Sequence, residues 1–137
     1  MTGALFMIEK RVEKYLTTTY RLADVKIDNI LFYFNSAQVR SEYNEKLSIL
    51  GEFLKNNPKT YVVLTGFTDG TGSSDYNLGL ARRRAESIEA YLIAKYNISV
   101  GQIVTQWYGQ DNPVAENDSI DGRSQNRRVE SIVMGFD

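Results

Sequence analysis

The sequence predicts an α/β fold, in which a mixed β-sheet carries helices packed against it. Three observations lead there: a short β-branched run at residues 61–65, two long segments with apolar residues at helical spacing, and their alternation in strand–helix–strand–helix–strand order. With 137 residues the chain has room for one domain of ordinary size and little more.

Taken in order, residues 3–16 carry Leu5, Ile8, Val12, Tyr15 and Leu16 at helical spacing with charged residues between them, which reads as a short amphipathic helix. The β-branched run Thr17-Thr18-Thr19 closes it. A linker docked on the domain and a partner-binding helix are its two readings. Residues 25–34 alternate and then turn continuously apolar through Phe34, as a strand does when one half is covered on both faces. Asn35-Ser36 breaks it. Ser41 is a candidate N-cap for a helix reaching about Asn57, with Tyr43, Leu47, Leu50 and Leu54 along one stripe. Pro58 ends that helix, because the residue before a proline is pushed out of the α region.

Tyr61–Thr65 is the clearest strand. It runs into Gly66-Phe-Thr-Asp-Gly-Thr-Gly72, a glycine-rich loop. A second helix is predicted from about Asp75, taken as its N-cap, to Tyr96, with Ala81, Ala85, Ile88 and Leu92 as its stripe. Residues 102–108 form a third strand, 110–119 a loop, 121–125 a helical turn and 129–134 a last strand.

Composition narrows the function. Hydrophobic residues make up 42% and charged residues 24%, which is ordinary globular usage. Sixteen Lys and Arg stand against seventeen Asp and Glu, so no basic surface points to nucleic acid. With neither Cys nor His, the chain has no disulfide, no thiolate nucleophile, no Ser-His-Asp triad and no zinc site of the usual kind. No cofactor is expected. No stretch approaches the roughly 20 apolar residues of a membrane span, so this segment is not expected to insert into a membrane. The apolar start before Glu9 is too short for a signal-peptide core, so export would draw on information outside this chain.

The polar residues of interest cluster at 66–84 and 123–130. Arginine, the residue suited to bidentate carboxylate recognition, is concentrated late: residues 81–137 hold six Arg and one Lys, residues 1–60 three Arg and six Lys. On a helix Asn77, Ala81 and Arg84 share a face, while Arg82 and Arg83 point elsewhere. That face looks toward Thr68 and Asp69, and a carboxylate and a guanidinium on opposite walls of one cleft complement a zwitterion. The competing reading is a structural Asp69–Arg84 salt bridge, or three solvated arginines at 82–84. The loop lacks the Gly-Lys-Ser/Thr ending of a nucleotide loop, and an Asp69–Asp75 carboxylate pair gives catalysis little support.

These residues carry a resemblance. Gly66-Phe-Thr-Asp69, Gly72, Asn77, Leu80, Arg84-Ala85 and Asn126-Arg-Arg-Val129 resemble the C-terminal domain of outer-membrane protein A, a family that includes peptidoglycan-associated lipoprotein and the flagellar stator protein MotB. Phe32-Tyr-Phe-Asn-Ser-Ala37, Asn57-Pro58, Tyr108-Gly109, Pro113 and Asn117 fall at matching places. The likeness covers about residues 25–134, dividing the chain into an N-terminal segment, 1–24, and a domain, 25–137.

The resemblance implies an α/β sandwich of βαβαβ type with its helices on one face of the sheet. It implies non-enzymatic, non-covalent binding of peptidoglycan through the diaminopimelate of the stem peptide, with Asp69 and Arg84 holding the zwitterionic end. Asn35, Thr68, Asn77 and Leu80 match positions lining the same pocket, and Arg128 a position near it; Arg127 and Asn126 are read as holding the last strand against the loops. It further implies a periplasmic place in the envelope of a Gram-negative bacterium, as anchor of an outer-membrane or envelope protein. The alternative keeps the fold but loses wall binding, and serves as a homodimerising module or an envelope or secretion-complex partner. Phe67 where the family has His, Trp107 where it has Gly, and Gln110 for a common Glu are departures from its pattern.

Overall fold

The computed structural model of the chain describes residues 19–136. Its strands are β1 (Thr19–Lys26), β2 (Ile30–Leu31), β3 (Thr60–Phe67), β4 (Ile103–Gly109) and β5 (Arg128–Phe136), and its helices α1 (Asn44–Asn56), α2 (Ser74–Tyr96) and α3 (Ile120–Asn126). The sheet runs β1-β5-β3-β4, with β2 also paired to β5. Only β3 and β4 are parallel; β5 is antiparallel to β1, β2 and β3. Among the described residues the observed class is therefore a mixed sheet with α1 and α2 packed on one face. The helix predicted over residues 3–16 lies outside the described residues. Edge strand β1 begins at Thr19, so the sheet takes in residues ahead of the span that carries the sequence likeness.

Strand β3 is central, and all eight of its residues are buried. Alternation sends Val62 and Leu64 to one face, where they meet Val129 and Val133 of β5, Leu47, Leu50 and Leu54 of α1, and Ile88 and Leu92 of α2. Both predicted helical stripes are thus core. The opposite face carries a smaller cluster of Tyr61, Val63 and Met134. Gly66 lets α2 approach the end of β3: a Cβ there would stand 2.0 Å from the carbonyl oxygen of Ala81.

Three local expectations are corrected. The continuous strand at 25–34 is broken into the end of β1, two-residue β2 and a turn. The backbone beyond Leu31 has other partners: Phe32 N–H donates to the Arg127 carbonyl at 2.9 Å, and the Tyr33 carbonyl accepts from Arg84. Asn35 then turns the chain at φ 54°, a left-handed conformation that Asn tolerates better than most residues. Ser41 does not cap α1; it opens a 3-10 turn, Ser41–Tyr43, with no side-chain cap. In α2 the N-cap is Ser73, whose side chain accepts from Tyr76 N–H. Asp75 sits in the first turn, where a carboxylate favours the helix dipole.

Candidate functional site

Four pieces of the fold converge beyond the end of β3. The loop after that strand presents Thr68 and Asp69, α2 presents Asn77, Leu80 and Arg84, the turn after β2 presents Asn35, and the α3–β5 junction presents Arg127. Together they enclose a cavity of about 230 Å³. Six residues expected from the sequence line it: Asn35, Thr68, Asp69, Asn77, Leu80 and Arg84. Phe34, Thr71, Gly72, Tyr76 and Arg127 complete the wall.

Asp69 and Arg84 face this cavity without being paired to each other. The Asp69 carboxylate accepts from Arg127 Nη1 at 3.2 Å and from Thr71 N–H at 2.9 Å. A carboxylate offers about four lone-pair directions, so capacity remains. Arg84, 1% exposed, donates to three carbonyls: Nε to Ser36 at 2.8 Å, Nη1 to Phe67 at 3.0 Å and Nη2 to Tyr33 at 3.1 Å. One N–H on each terminal nitrogen is left over for a further acceptor. Burial pulls its pKa down to about 10, and the neighbouring Arg127 lowers it too, against the raising influence of Asp69. Arg84 is still a cation at neutral pH.

The surroundings keep these groups in place. Asn77 Nδ2 donates to the Thr71 carbonyl at 3.0 Å and to Gln110 Oε1 at 2.8 Å, tying α2 to two loops. Thr68 N–H donates to the Gly109 carbonyl at 2.8 Å. Tyr76 donates its hydroxyl hydrogen to Asn35 Oδ1 across the mouth. Asn126, fully buried, accepts from Val114 and Ala115 N–H and donates to the Ala115 carbonyl and Asn117 Oδ1.

Arg128 is placed elsewhere. Its guanidinium lies 3.8 Å from the centre of the Phe67 ring and donates to Glu130 and to the Asn126 and Asn112 carbonyls. Its neighbour Arg127 holds Asp69 and donates Nε to the Phe32 carbonyl at 2.9 Å. Adjacent residues entering a strand point to opposite sides, so of the Arg-Arg pair only the first turns to the cavity. Tyr76 had a signal in the sequence: it lies four residues before Leu80, on the same helical face.

The family model of the OmpA family matches residues 31–127, the stretch that builds every wall of this cavity. The chain belongs to the OmpA family. Its relatives include the peptidoglycan-associated lipoprotein of Buchnera aphidicola, 38% identical over 103 residues, which are 75% of this chain and 59% of that protein. Outer membrane porin F of Pseudomonas aeruginosa is 34% identical over 110 residues, 80% of this chain and 30% of that protein. The chain thus corresponds to a part of each. The crystal structure of the peptidoglycan-associated lipoprotein from Burkholderia pseudomallei superposes with a TM-score of 0.74 at 30% identity, over 77% of this chain and 88% of that one.

The departures from the OmpA-family pattern have physical settings. Phe67 is buried between the Arg128 guanidinium and the Tyr108 ring, 5.8 Å away, so its ring takes part in a cation–π contact. Trp107, at the surface, carries Arg82 over its ring at 5.0 Å. Gln110 is neutral yet still accepts from Asn77. Among the described residues no helix is long and apolar enough to cross a membrane.

Proposed function

We propose that this domain binds peptidoglycan non-covalently, taking the zwitterionic end of a stem-peptide diaminopimelate between Asp69 and Arg84, and so anchors an envelope protein in the periplasm to the cell wall. The observation that carries the reading is the pairing pattern of the two groups. An acid and a base line one cavity, yet the carboxylate is paired with Arg127 and the guanidinium is held by carbonyls. The ligand's ammonium meets the spare lone pairs of Asp69, and its carboxylate the spare N–H groups of Arg84, as charge-assisted hydrogen bonds.

Size supports the same reading. At about 230 Å³ the cavity falls below the roughly 300–1,000 Å³ of pockets that engulf a drug-sized ligand, which suits the end of one side chain and not a glycan strand. Leu80 and Phe34 supply apolar walls for a methylene stem. Relatives named for peptidoglycan association and for the outer membrane support the ligand class and the compartment. Two charged contacts and a few hydrogen bonds correspond to a dissociation constant of roughly micromolar to millimolar, and repetition of the ligand along a polymer raises retention well above that.

The test is co-sedimentation with insoluble diaminopimelate-type peptidoglycan, for wild type, Asp69→Ala and Arg84→Lys, each checked for folding by circular dichroism. Lysine keeps the charge of Arg84 while losing its fork, and avoids stranding three carbonyls in an empty space. Wild type is expected in the pellet and both variants in the supernatant. Folded wild type remaining in solution would refute wall binding, and equal retention of the variants would refute this cavity as the site.

A further inference from the structure

The turn after β2 borders two hollows. Phe34 and Asn35 line the cavity that holds Asp69 and Arg84. Tyr33 and Gln38 line a neighbouring groove of about 460 Å³, together with Arg40, Ser41, Glu42 and Asn44. The turn is tied to the cavity, because its Tyr33 and Ser36 carbonyls accept from Arg84. The groove is rich in uncommitted donors. The Arg40 guanidinium lies over the Tyr33 ring at 4.0 Å, and its Nη2 pairs with Glu42. Its Nε is shielded from water and has no hydrogen-bond partner among the described residues. Among the same residues the side chains of Gln38 and Ser41 make no hydrogen bond, and Asn44 uses only Oδ1, accepting from Tyr91. Glu42 is 55% exposed, and an ion pair so open to water exchanges its acid for another anion at little cost.

We propose, on the basis that the cavity binds diaminopimelate, that the groove is a second subsite for the same stem peptide, where Arg40 takes the carboxylate of the residue next to diaminopimelate. Such carboxylates stand on either side of it: the α-carboxylate of the γ-linked D-glutamate, and the terminal carboxylate of a following D-alanine. One residue of extended chain advances about 3.3–3.6 Å, and Tyr33 and Phe34, which border groove and cavity, are themselves about 3.8 Å apart at Cα. A single step along the peptide therefore matches the step between the two hollows. Charge complements the same ligand, since a carboxylate meets Arg40 through charge-assisted hydrogen bonds, with the Gln38 amide and the Ser41 hydroxyl as further donors.

Calorimetric titration tests this with free diaminopimelate and with the soluble tetrapeptide L-alanyl-γ-D-glutamyl-diaminopimelyl-D-alanine. Wild type, Arg40→Gln and Glu42→Gln are compared in the full chain, each checked for folding by circular dichroism. Arg40→Gln is expected to weaken the tetrapeptide roughly three- to tenfold and to leave diaminopimelate unchanged. Glu42→Gln releases Arg40 and is expected to tighten the tetrapeptide. Converting either the D-glutamate or the D-alanine carboxylate to its carboxamide separates the sources: the one held by Arg40 loses affinity for wild type and becomes insensitive to Arg40→Gln. If neither carboxamide weakens binding, the subsite is overturned, as it is if diaminopimelate shares the loss on Arg40→Gln. Arg83→Gln controls for general attraction, because that guanidinium lies over Tyr76 at 5.8 Å on the α2 side of the mouth; a loss equal to that of Arg40→Gln would also overturn the subsite. Wild type that binds neither ligand would overturn cavity and groove together. Diaminopimelate bound normally, with the tetrapeptide indifferent to Arg40→Gln, would overturn the groove alone.

Discussion

Buried polar side chains, each with its partners supplied, hold the walls of the cavity. Asn126 spends its amide on four bonds to the loop at 114–117, and that loop in turn receives Gly70 N–H at Asn117 Oδ1. Asn126→Ala would strand two N–H groups and a carbonyl, at about 1–3 kcal/mol for each group left unsatisfied. Urea unfolding is expected to show a loss of several kcal/mol, larger than a surface substitution produces. Arg84 gives a prediction in pH. Its folded value is held down at about 10, below that of an ordinary arginine, so above about pH 10 the unfolded chain holds more protons than the folded one and stability owed to this group rises with pH. Below that pH, the buried cation is a cost that the three carbonyls offset. Carbon-detected NMR of the guanidinium should show Arg84 titrating at lower pH in the folded chain than in the urea-unfolded chain; coincident titrations would mean that burial does not perturb it.

Helix α2 is the element that makes the site, because one of its faces delivers Asn77, Leu80 and Arg84 while the next turns build core. Its start is set by Ser73, which accepts from Tyr76 N–H at 3.2 Å, and its end by Asn97 in the left-handed region at φ 55°. Ser73→Ala is expected to cost about 1 kcal/mol in urea unfolding while leaving wall retention unchanged, since Ser73 does not line the cavity. Its seating against β3 depends on Gly66. Gly66→Ala forces a methyl against the Ala81 carbonyl and should cost about 1–3 kcal/mol as overpacking. Displacing the helix also moves Arg84 away from Asp69, so retention is expected to fall with stability. Stable Gly66→Ala protein with full retention would show that the close approach is dispensable.

At the scale of the whole molecule, the cavity joins segments far apart in the chain: Tyr33 and Arg84 across 51 residues, Asp69 and Arg127 across 58, and Phe32 and Arg127 across 95. A ligand held there ties the folded state together and has no counterpart in the unfolded chain. Soluble stem peptide bearing diaminopimelate is therefore expected to raise the melting temperature, by roughly 2.7 kcal/mol of stability at a hundredfold excess over the dissociation constant. Asp69→Ala should abolish that rise. An equal shift in the variant would mean that the peptide binds elsewhere.

The sequence by itself determined the kinds of element, the buried stripes of α1 and α2 and the helical face that turns Asn77 and Arg84 toward Thr68 and Asp69, because backbone periodicity and turn chemistry are local properties of the chain; Asn35 and Leu80 came only from the family resemblance. Stripe residues Leu47, Leu50, Leu54, Ile88 and Leu92 are all core for that reason. Only the tertiary structure decided who pairs with whom. Spacing put Asp69 and Arg84 on facing walls but could not say that Arg127 would take the carboxylate, or that three carbonyls, from the turn after β2 and the end of β3, would take the guanidinium. Nor could it choose between Arg127 and Arg128, since the direction of that alternation follows from how β5 docks on β3. The apolar run through Phe34 illustrates the same limit. Its residues suit a strand, yet β2 ends at Leu31 because the following N–H and carbonyls find partners in Arg127 and Arg84. Hydrogen bonds are settled by distance in the folded molecule, and distance along the chain does not encode them.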